Sequence, residues 1–115
     1  MKREERAQQM WSLLCLAATH NQLVTYDTVA KLTGMMTAGI GDILAPIQQY
    51  CEERQLPPLT VLVVNKQTGL PGVGFIATEQ IPEAFQRVFG HDWLAEKAPT
   101  AEDFAAAYSR APDRR

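Results

Sequence analysis

Basic residues, cysteines and long apolar runs are all scarce in this chain of 115 residues. It carries 11 Lys and Arg against 13 Asp and Glu, a formal net charge of −2. A domain that holds nucleic acid by itself usually carries a basic patch, so this balance argues against strong, unassisted DNA binding. No apolar run approaches the length that crosses a bilayer, and the N-terminus lacks the apolar core of a signal peptide. We therefore expect a cytoplasmic protein without a membrane partner.

Two cysteines and two histidines offer little material for a metal site. Cys15 and Cys51 both fall on apolar helical faces, which favours reduced core thiols; a metal pair or a disulfide are the alternatives. His20 and His91 are distant in sequence and belong to no Cys/His cluster. We expect neither a metal nor a cofactor.

No arrangement typical of catalysis is present. The glycine-rich residues 69–74 lack the lysine and Ser or Thr that end a phosphate-binding loop, which favours a turn. Glu52 and Glu53 are neighbours on a solvated helix face and do not form a converging carboxylate pair. The sequence therefore predicts a non-enzymatic protein with no catalytic residues.

Residues 23–76 carry most of the structural information. Thr25 is placed to cap a short helix, Asp27 follows near its positive end, and Gly34 can close it in the left-handed conformation. After this corner, Thr37 can cap a second helix that reaches about residue 55. The spacing therefore predicts two helices joined at a sharp bend.

Apolar residues in the second predicted helix recur at steps of three and four, which places them on one buried stripe. The predicted buried stripe consists of Ile40, Ile43, Leu44, Ile47, Tyr50 and Cys51. The predicted solvent face consists of Asp42, Gln48, Gln49, Glu52 and Glu53. Its exposed side is therefore expected to be acidic, which disfavours contact with phosphates.

A short β-ribbon is predicted to follow this helix. Residues 59–64 are rich in β-branched side chains, 65–69 supply turn residues, and 72–76 can return as a second strand. An opening helix from about residue 3 to 19 precedes these elements. The order predicts a mainly α fold with a small β-hairpin, of the winged helix-turn-helix type.

Further helices are predicted after the hairpin. Pro82 suits a first helical position and Gly90 an end, while Thr100 with Asp103 three residues on is a capping box for a last helix. We expect one domain over residues 1–110 and a frayed tail at 111–115.

The runs VTYDTVAKLTG, GIGDIL and TGLPGVGF resemble the C-terminal domain of O6-alkylguanine-DNA alkyltransferases and alkyltransferase-like proteins. That family shows a T-Y-G-x-L-A helix, an R-A-V-G-x-A recognition helix, a P-C-H-R strand and a D-G-x-L-G-G-Y wing. The resemblance covers about half of the chain. It implies that Tyr26 contacts a DNA backbone.

Two departures from this pattern remove the family's repair chemistry. The arginine that the family inserts into the base stack falls near Ala38. The P-C-H-R segment falls within residues 58–62, where neither cysteine nor histidine occurs. The resemblance thus implies a scaffold without acceptor thiol or intercalating cation, and only residual sensing of alkylated bases.

Two partner classes follow from these observations. A DNA-associated module, binding weakly or within a DNA-processing or phage-defence assembly, has as candidate contacts Tyr26, Lys31, Thr37, Ala38, Gln48, Gln49 and Lys66. The alternative is a protein-binding adaptor, inhibitor or antitoxin-type protein, with Trp93, Phe104 and Tyr108 as candidate anchors if they are exposed. The other interpretation of those three aromatics is core packing. The oligomeric state is not predicted.

Overall fold

The chain is described by a computed structural model over residues 1–72 and 80–111, and this part is mainly helical with one small sheet. Its helices are α1 (Arg3–Thr19), α2 (Tyr26–Thr33), α3 (Ile40–Glu53), α4 (Ile81–Gly90) and α5 (Ala101–Arg110). Short 3-10 helices lie at Thr37–Gly39, Leu59–Leu62 and Trp93–Ala95. The mainly α prediction is confirmed. Most of the tail predicted to fray, residues 112–115, lies outside the described residues.

Local capping chemistry sets the predicted ends of α2 and α5. The Thr25 hydroxyl oxygen accepts a hydrogen bond from the Thr28 amide at 3.1 Å, and Gly34 closes α2 at φ 71°. At α5, the Thr100 hydroxyl accepts from the Asp103 amide at 3.1 Å, and the Asp103 carboxylate accepts from the Thr100 amide at 2.9 Å. The cap at Thr25, the left-handed Gly34 and the capping box are confirmed.

The second predicted helix begins later than expected. Thr37 opens the 3-10 helix instead of capping α3, and the residue before α3, Gly39, makes no side-chain cap bond. The 3-10 helix runs directly into α3, and the Ile40 amide donates to the Thr37 carbonyl, so the backbone of the 3-10 turn satisfies the amide that a Thr37 side chain would cap. The prediction of a Thr37 cap is therefore wrong, although both predicted helices are present and Gly34 ends the first of them.

The sheet joins two short strands that are distant in sequence. Val24–Thr25 (β1) pairs in parallel with Val63–Val64 (β2), with Val24 opposite Val63. Residues 59–62 form a 3-10 helix, so the prediction of a strand over 59–64 is wrong for its first four residues. The chain does reverse after β2, because an antiparallel bridge joins Val64 to Pro71. Most of the predicted return strand, at 73–76, lies outside the described residues.

The hydrophobic core lies where α3 packs between α1 and α5. Every residue of the predicted stripe is buried. Beside it, the Trp11 ring centroid lies 5.6 Å from that of Tyr50 and 5.7 Å from that of Trp93. Phe104 of α5 completes this aromatic cluster, 5.6 Å from Tyr50. α5 is therefore part of the core and packs against both α1 and α3.

Candidate functional site

Tyr26 connects the start of α2 to the segment that follows β2. Its hydroxyl oxygen accepts a hydrogen bond from the Gly72 amide at 3.2 Å, across 46 residues of sequence. A Cβ added at Gly72 would lie 2.4 Å from that hydroxyl, so only glycine permits this approach. The phenol is therefore held in place, while its own O–H proton is left to donate elsewhere.

A tight turn over residues 65–70 faces Tyr26. The Asn65 carboxamide oxygen accepts from the Gln67 amide at 2.8 Å, and the Asn65 amide donates to the Leu70 carbonyl at 2.9 Å. Gly69 takes the left-handed conformation, with φ 68°, that such a reversal requires. This turn places Lys66 beside the first turn of α2.

Lys66 forms an ion pair with Asp27, with 2.9 Å between its Nζ and a carboxylate oxygen. Hydrogen bonding to Lys66 lowers the pKa of Asp27, and the same bond raises the pKa of Lys66. Both side chains are about half exposed or more, so solvent screens the pair and it adds little to stability. Its main effect is to neutralise the lysine that a bound anion would need.

These residues enclose a small polar cleft of about 180 Å³, which we call the Tyr26 cleft. It is lined by Tyr26, Asp27, Asn65, Lys66 and Gln67. At roughly 30 Å³ per water, it has room for about six water molecules or for one tetrahedral oxyanion. A phenol, a lysine and two carboxamides supply donors for anion oxygens. The Asp27 carboxylate is the one feature of the lining that repels an anion.

The structure divides the remaining DNA-contact candidates into two groups. Lys31 on α2 is exposed, as are Thr37 and Ala38 in the 3-10 helix before α3. Gln48 and Gln49 are 5% and 8% exposed, so the prediction that they lie on a solvent face is wrong. Gln49 donates to Glu53, which is bonded to Arg110 of α5, while Gln48 lies next to the residues that follow α3 and to Arg87 of α4. Neither glutamine can reach a duplex from this position.

The acidic side chains of α3 are also partly neutralised. Arg3 of α1 bonds Asp42 at 2.9 Å, and Arg110 of α5 bonds Glu53 through two nitrogens at 2.9 and 2.7 Å. Local sequence patterns do not predict either pair, because the two partners are 39 residues apart in the first and 57 in the second. The surface of α3 is consequently less negative than its own residues indicate.

The aromatic candidates for a protein interface belong mostly to the core. Trp93 is 2% exposed, its indole N–H donates to the Val88 carbonyl at 2.8 Å, and Phe104 is fully buried. The core-packing interpretation of these two is therefore correct, and their use as exposed anchors is excluded. Tyr108 is half-buried, with the Arg3 guanidinium 4.2 Å above its ring centroid.

The cysteines have no feature of a reactive pair. Cys15 and Cys51 are free and buried, and burial raises the pKa of each thiol to about 12. Both therefore stay protonated and non-nucleophilic at neutral pH. Over residues 1–72 and 80–111, no group of three or more His, Cys, Asp or Glu side chains is placed to hold a metal ion.

Sequence reasoning identified Tyr26 and Lys66 separately and missed that Asp27, Asn65 and Gln67 join them. The signal that could have shown this cleft was the turn predicted at residues 65–69, since that turn begins at Asn65 and folds back next to the start of α2.

No protein-family model, curated protein or solved structure matches this chain. None of the described helices is long and apolar enough to cross a membrane.

Proposed function

We propose that this chain is a non-enzymatic winged helix-turn-helix module that associates with DNA through the Tyr26 cleft. The order of a capped α2, a left-handed Gly34, a bend and α3, followed by a reversal after β2, supports this fold. The resemblance to alkyltransferase-like proteins supports DNA as the ligand. The observation that carries the proposal is the Tyr26 hydroxyl, which is fixed by Gly72, lines the same cleft as Lys66 and has no acceptor for its proton among residues 1–72 and 80–111.

A DNA phosphate fits the chemistry of this cleft. Its oxygens accept from the Tyr26 hydroxyl and from the Lys66 ammonium, and Lys31 lies one helical turn beyond Asp27 on the same face of α2. Thr37 and Ala38 offer small, exposed side chains at the corner before α3. With two lysines and one carboxylate, the local charge is +1, so binding is weak or needs a partner protein.

Fluorescence anisotropy of a labelled duplex at low salt tests this function. Lys66→Gln and Tyr26→Phe each remove a phosphate donor and weaken binding by about tenfold, the effect of one charge-assisted hydrogen bond. Asp27→Asn removes the repelling charge and frees Lys66, so it tightens binding. Lys97→Gln, an exposed lysine before α5, is the matched control and leaves binding unchanged. The proposal is refuted if neither the wild-type chain nor the Asp27→Asn variant binds the duplex at micromolar protein concentration.

The salt dependence gives a second test. Neutralising one or two phosphates predicts a slope of about −1 to −2 in a plot of log K against log salt concentration. Duplexes with and without an alkylated guanine bind equally, since Ala38 has no cation to displace a base. Preference for the alkylated duplex would instead support the lesion-sensing alternative.

The second candidate is a protein-binding adaptor, inhibitor or antitoxin-type module. The observation that favours it is a pair of exposed apolar side chains near the corner between α2 and α3, Leu32 at 60% and Met36 at 82%. Two results together select this candidate. The chain co-purifies with the product of a neighbouring gene and does not bind the duplex, and the co-purification is lost when Leu32 and Met36 are both changed to serine.

A further inference from the structure

A second cleft, of about 230 Å³, lies between the C-terminal half of α3 and α4, and we call it the α3–α4 cleft. It is lined by Gln48, Cys51, Glu52, Gln55, Leu56, Pro58 and Arg87. None of these residues lines the Tyr26 cleft, so a ligand here is independent of the proposed function. The volume is below the range of sites for drug-sized molecules, which indicates an amino-acid-sized ligand or the end of a chain.

The lining combines apolar and polar side chains. Its apolar members are Cys51, Leu56 and Pro58, and burial keeps the Cys51 thiol neutral. Gln48 and Glu52 are four residues apart and share one face of α3, and α4 contributes Arg87. The cleft thus presents an amide, a carboxylate and a guanidinium beside neutral apolar groups.

Gln48 is the feature that indicates a ligand. Its side chain lines the cleft although the residue is only 5% exposed. Within residues 1–72 and 80–111, no side-chain hydrogen bond of Gln48 is found, and its polar atoms are not among the fully buried ones that lack a partner, so they open on the cleft. A carboxamide in that position takes its hydrogen bonds from whatever fills the cleft, water or a ligand. A carboxamide donates and accepts at once, which matches a peptide group.

Arg87 supplies the second recognition element. Its guanidinium has no ion-pair partner within the described part of the chain, and this group binds carboxylates through two parallel hydrogen bonds. The cleft therefore combines a carboxylate-binding group with an amide-binding group.

We propose that the α3–α4 cleft binds a carboxylate that carries a neighbouring amide, with Arg87 holding the carboxylate and Gln48 the amide. Both an N-acylated amino acid and the free C-terminus of a polypeptide have this chemistry. The apolar lining of Cys51, Leu56 and Pro58 suits a small aliphatic side chain on the ligand.

An NMR titration of the full chain with N-acetylalanine tests this site. We expect saturable shifts of the Gln48 side-chain and Arg87 signals. Three control compounds bind at least about tenfold more weakly. N-acetylalanine amide lacks the carboxylate, acetate lacks the amide, and inorganic phosphate lacks the amide and carries more charge. Arg87→Gln weakens N-acetylalanine by about tenfold or more, whereas Lys97→Gln does not change it. Because Arg87 is exposed, its substitution leaves the fold intact and the test interpretable.

Two peptides distinguish the sources of the ligand. A hexapeptide ending in alanine with a free carboxylate is compared with the same peptide amidated. Tighter binding of the free peptide than of N-acetylalanine assigns the site to a protein terminus, and equal binding assigns it to a small free acid. The proposal is overturned if N-acetylalanine causes no chemical-shift change at about 10 mM, because a dissociation constant above that concentration is too weak for a specific site. It is also overturned if Arg87→Gln leaves the affinity unchanged.

Discussion

Gly72 determines how closely the segment after β2 approaches α2. Because Tyr26 occupies the space that a Cβ would take, this glycine is required by a side chain 46 residues away and not by its own backbone angles. Gly41, in the first turn of α3, has no atom within 4 Å of an added Cβ. The two glycines therefore respond to the same substitution in opposite ways.

We predict that Gly72→Ala lowers the free energy of unfolding by about 1–3 kcal/mol, since the methyl group displaces the Tyr26 hydroxyl and breaks its hydrogen bond. Gly41→Ala raises it by about 0.5–1 kcal/mol, because alanine loses less backbone entropy in a helix. Urea unfolding measures both. Equal stability changes in the two variants would contradict the assigned contact.

Two buried threonines differ in whether their hydroxyl groups are bonded. Thr33 donates to the Val29 carbonyl at 2.8 Å. The Thr60 hydroxyl is buried and has no partner among the described residues. We predict that Thr60→Val, which removes an unsatisfied group at nearly constant volume, raises the free energy of unfolding by about 1 kcal/mol, and that Thr33→Val lowers it by a similar amount. A destabilised Thr60→Val protein in urea unfolding would show that its hydroxyl is bonded.

At the scale of elements, α5 is bound to α3 by a charged contact as well as by its apolar face. Hydrogen bonds from Arg110 and then from Gln49 lower the pKa of Glu53 to about 2 from its ordinary value of 4.5. The ionised form of Glu53 is thus favoured in the folded protein relative to the unfolded chain. This contribution is fully present above about pH 4.5 and is lost as the pH falls toward 2.

We predict that Glu53→Gln reduces the loss of stability between pH 5 and pH 2 relative to the wild type. Melting temperatures across this range measure the effect. Arg110→Gln removes the same ion pair from the other side. The loss of stability in the double variant is therefore no larger than the sum of the losses in the two single variants. A pH dependence unchanged in both single variants would show that the contact is not formed in solution.

The elements that the sequence predicts well are those fixed by local chemistry. Thr25, Gly34 and the Thr100–Asp103 box act within a few residues, so α2 and α5 are correctly placed. Residues 59–62 were mispredicted because short apolar runs do not distinguish a strand from a buried 3-10 turn. The parallel partner of β2 is β1, almost 40 residues earlier along the chain. No local pattern specifies that pairing.

The candidate sites depend still more on distant contacts. Tyr26 and Lys66 were predicted individually, but the cleft between them requires the turn to fold back on α2. The exposure of Gln48 and Gln49 was mispredicted because periodicity describes a helix packed on one side, and α3 is packed on two. Charge alone likewise failed to show that Asp42 and Glu53 are paired.

At the scale of the whole molecule, the aromatic cluster joins the first and last described helices to α3. Phe104 is fully buried against Tyr50 and Trp11. We predict that Phe104→Ala lowers the free energy of unfolding by about 3–5 kcal/mol and reduces the near-UV circular dichroism of the two tryptophans. Phe89→Ala, at a half-buried position on α4, is the control and costs less in urea unfolding. A Phe104→Ala protein as stable as this control would contradict the central place of α5.

The contact of α1 with α5 also bears on how the protein is made. Trp11 is synthesised some ninety residues before Phe104, so its ring lacks this partner during that interval. Contacts of such long sequence separation slow folding and leave intermediates open to aggregation. The side of Trp11 that Phe104 packs against therefore stays open to other contacts until the ribosome has released α5.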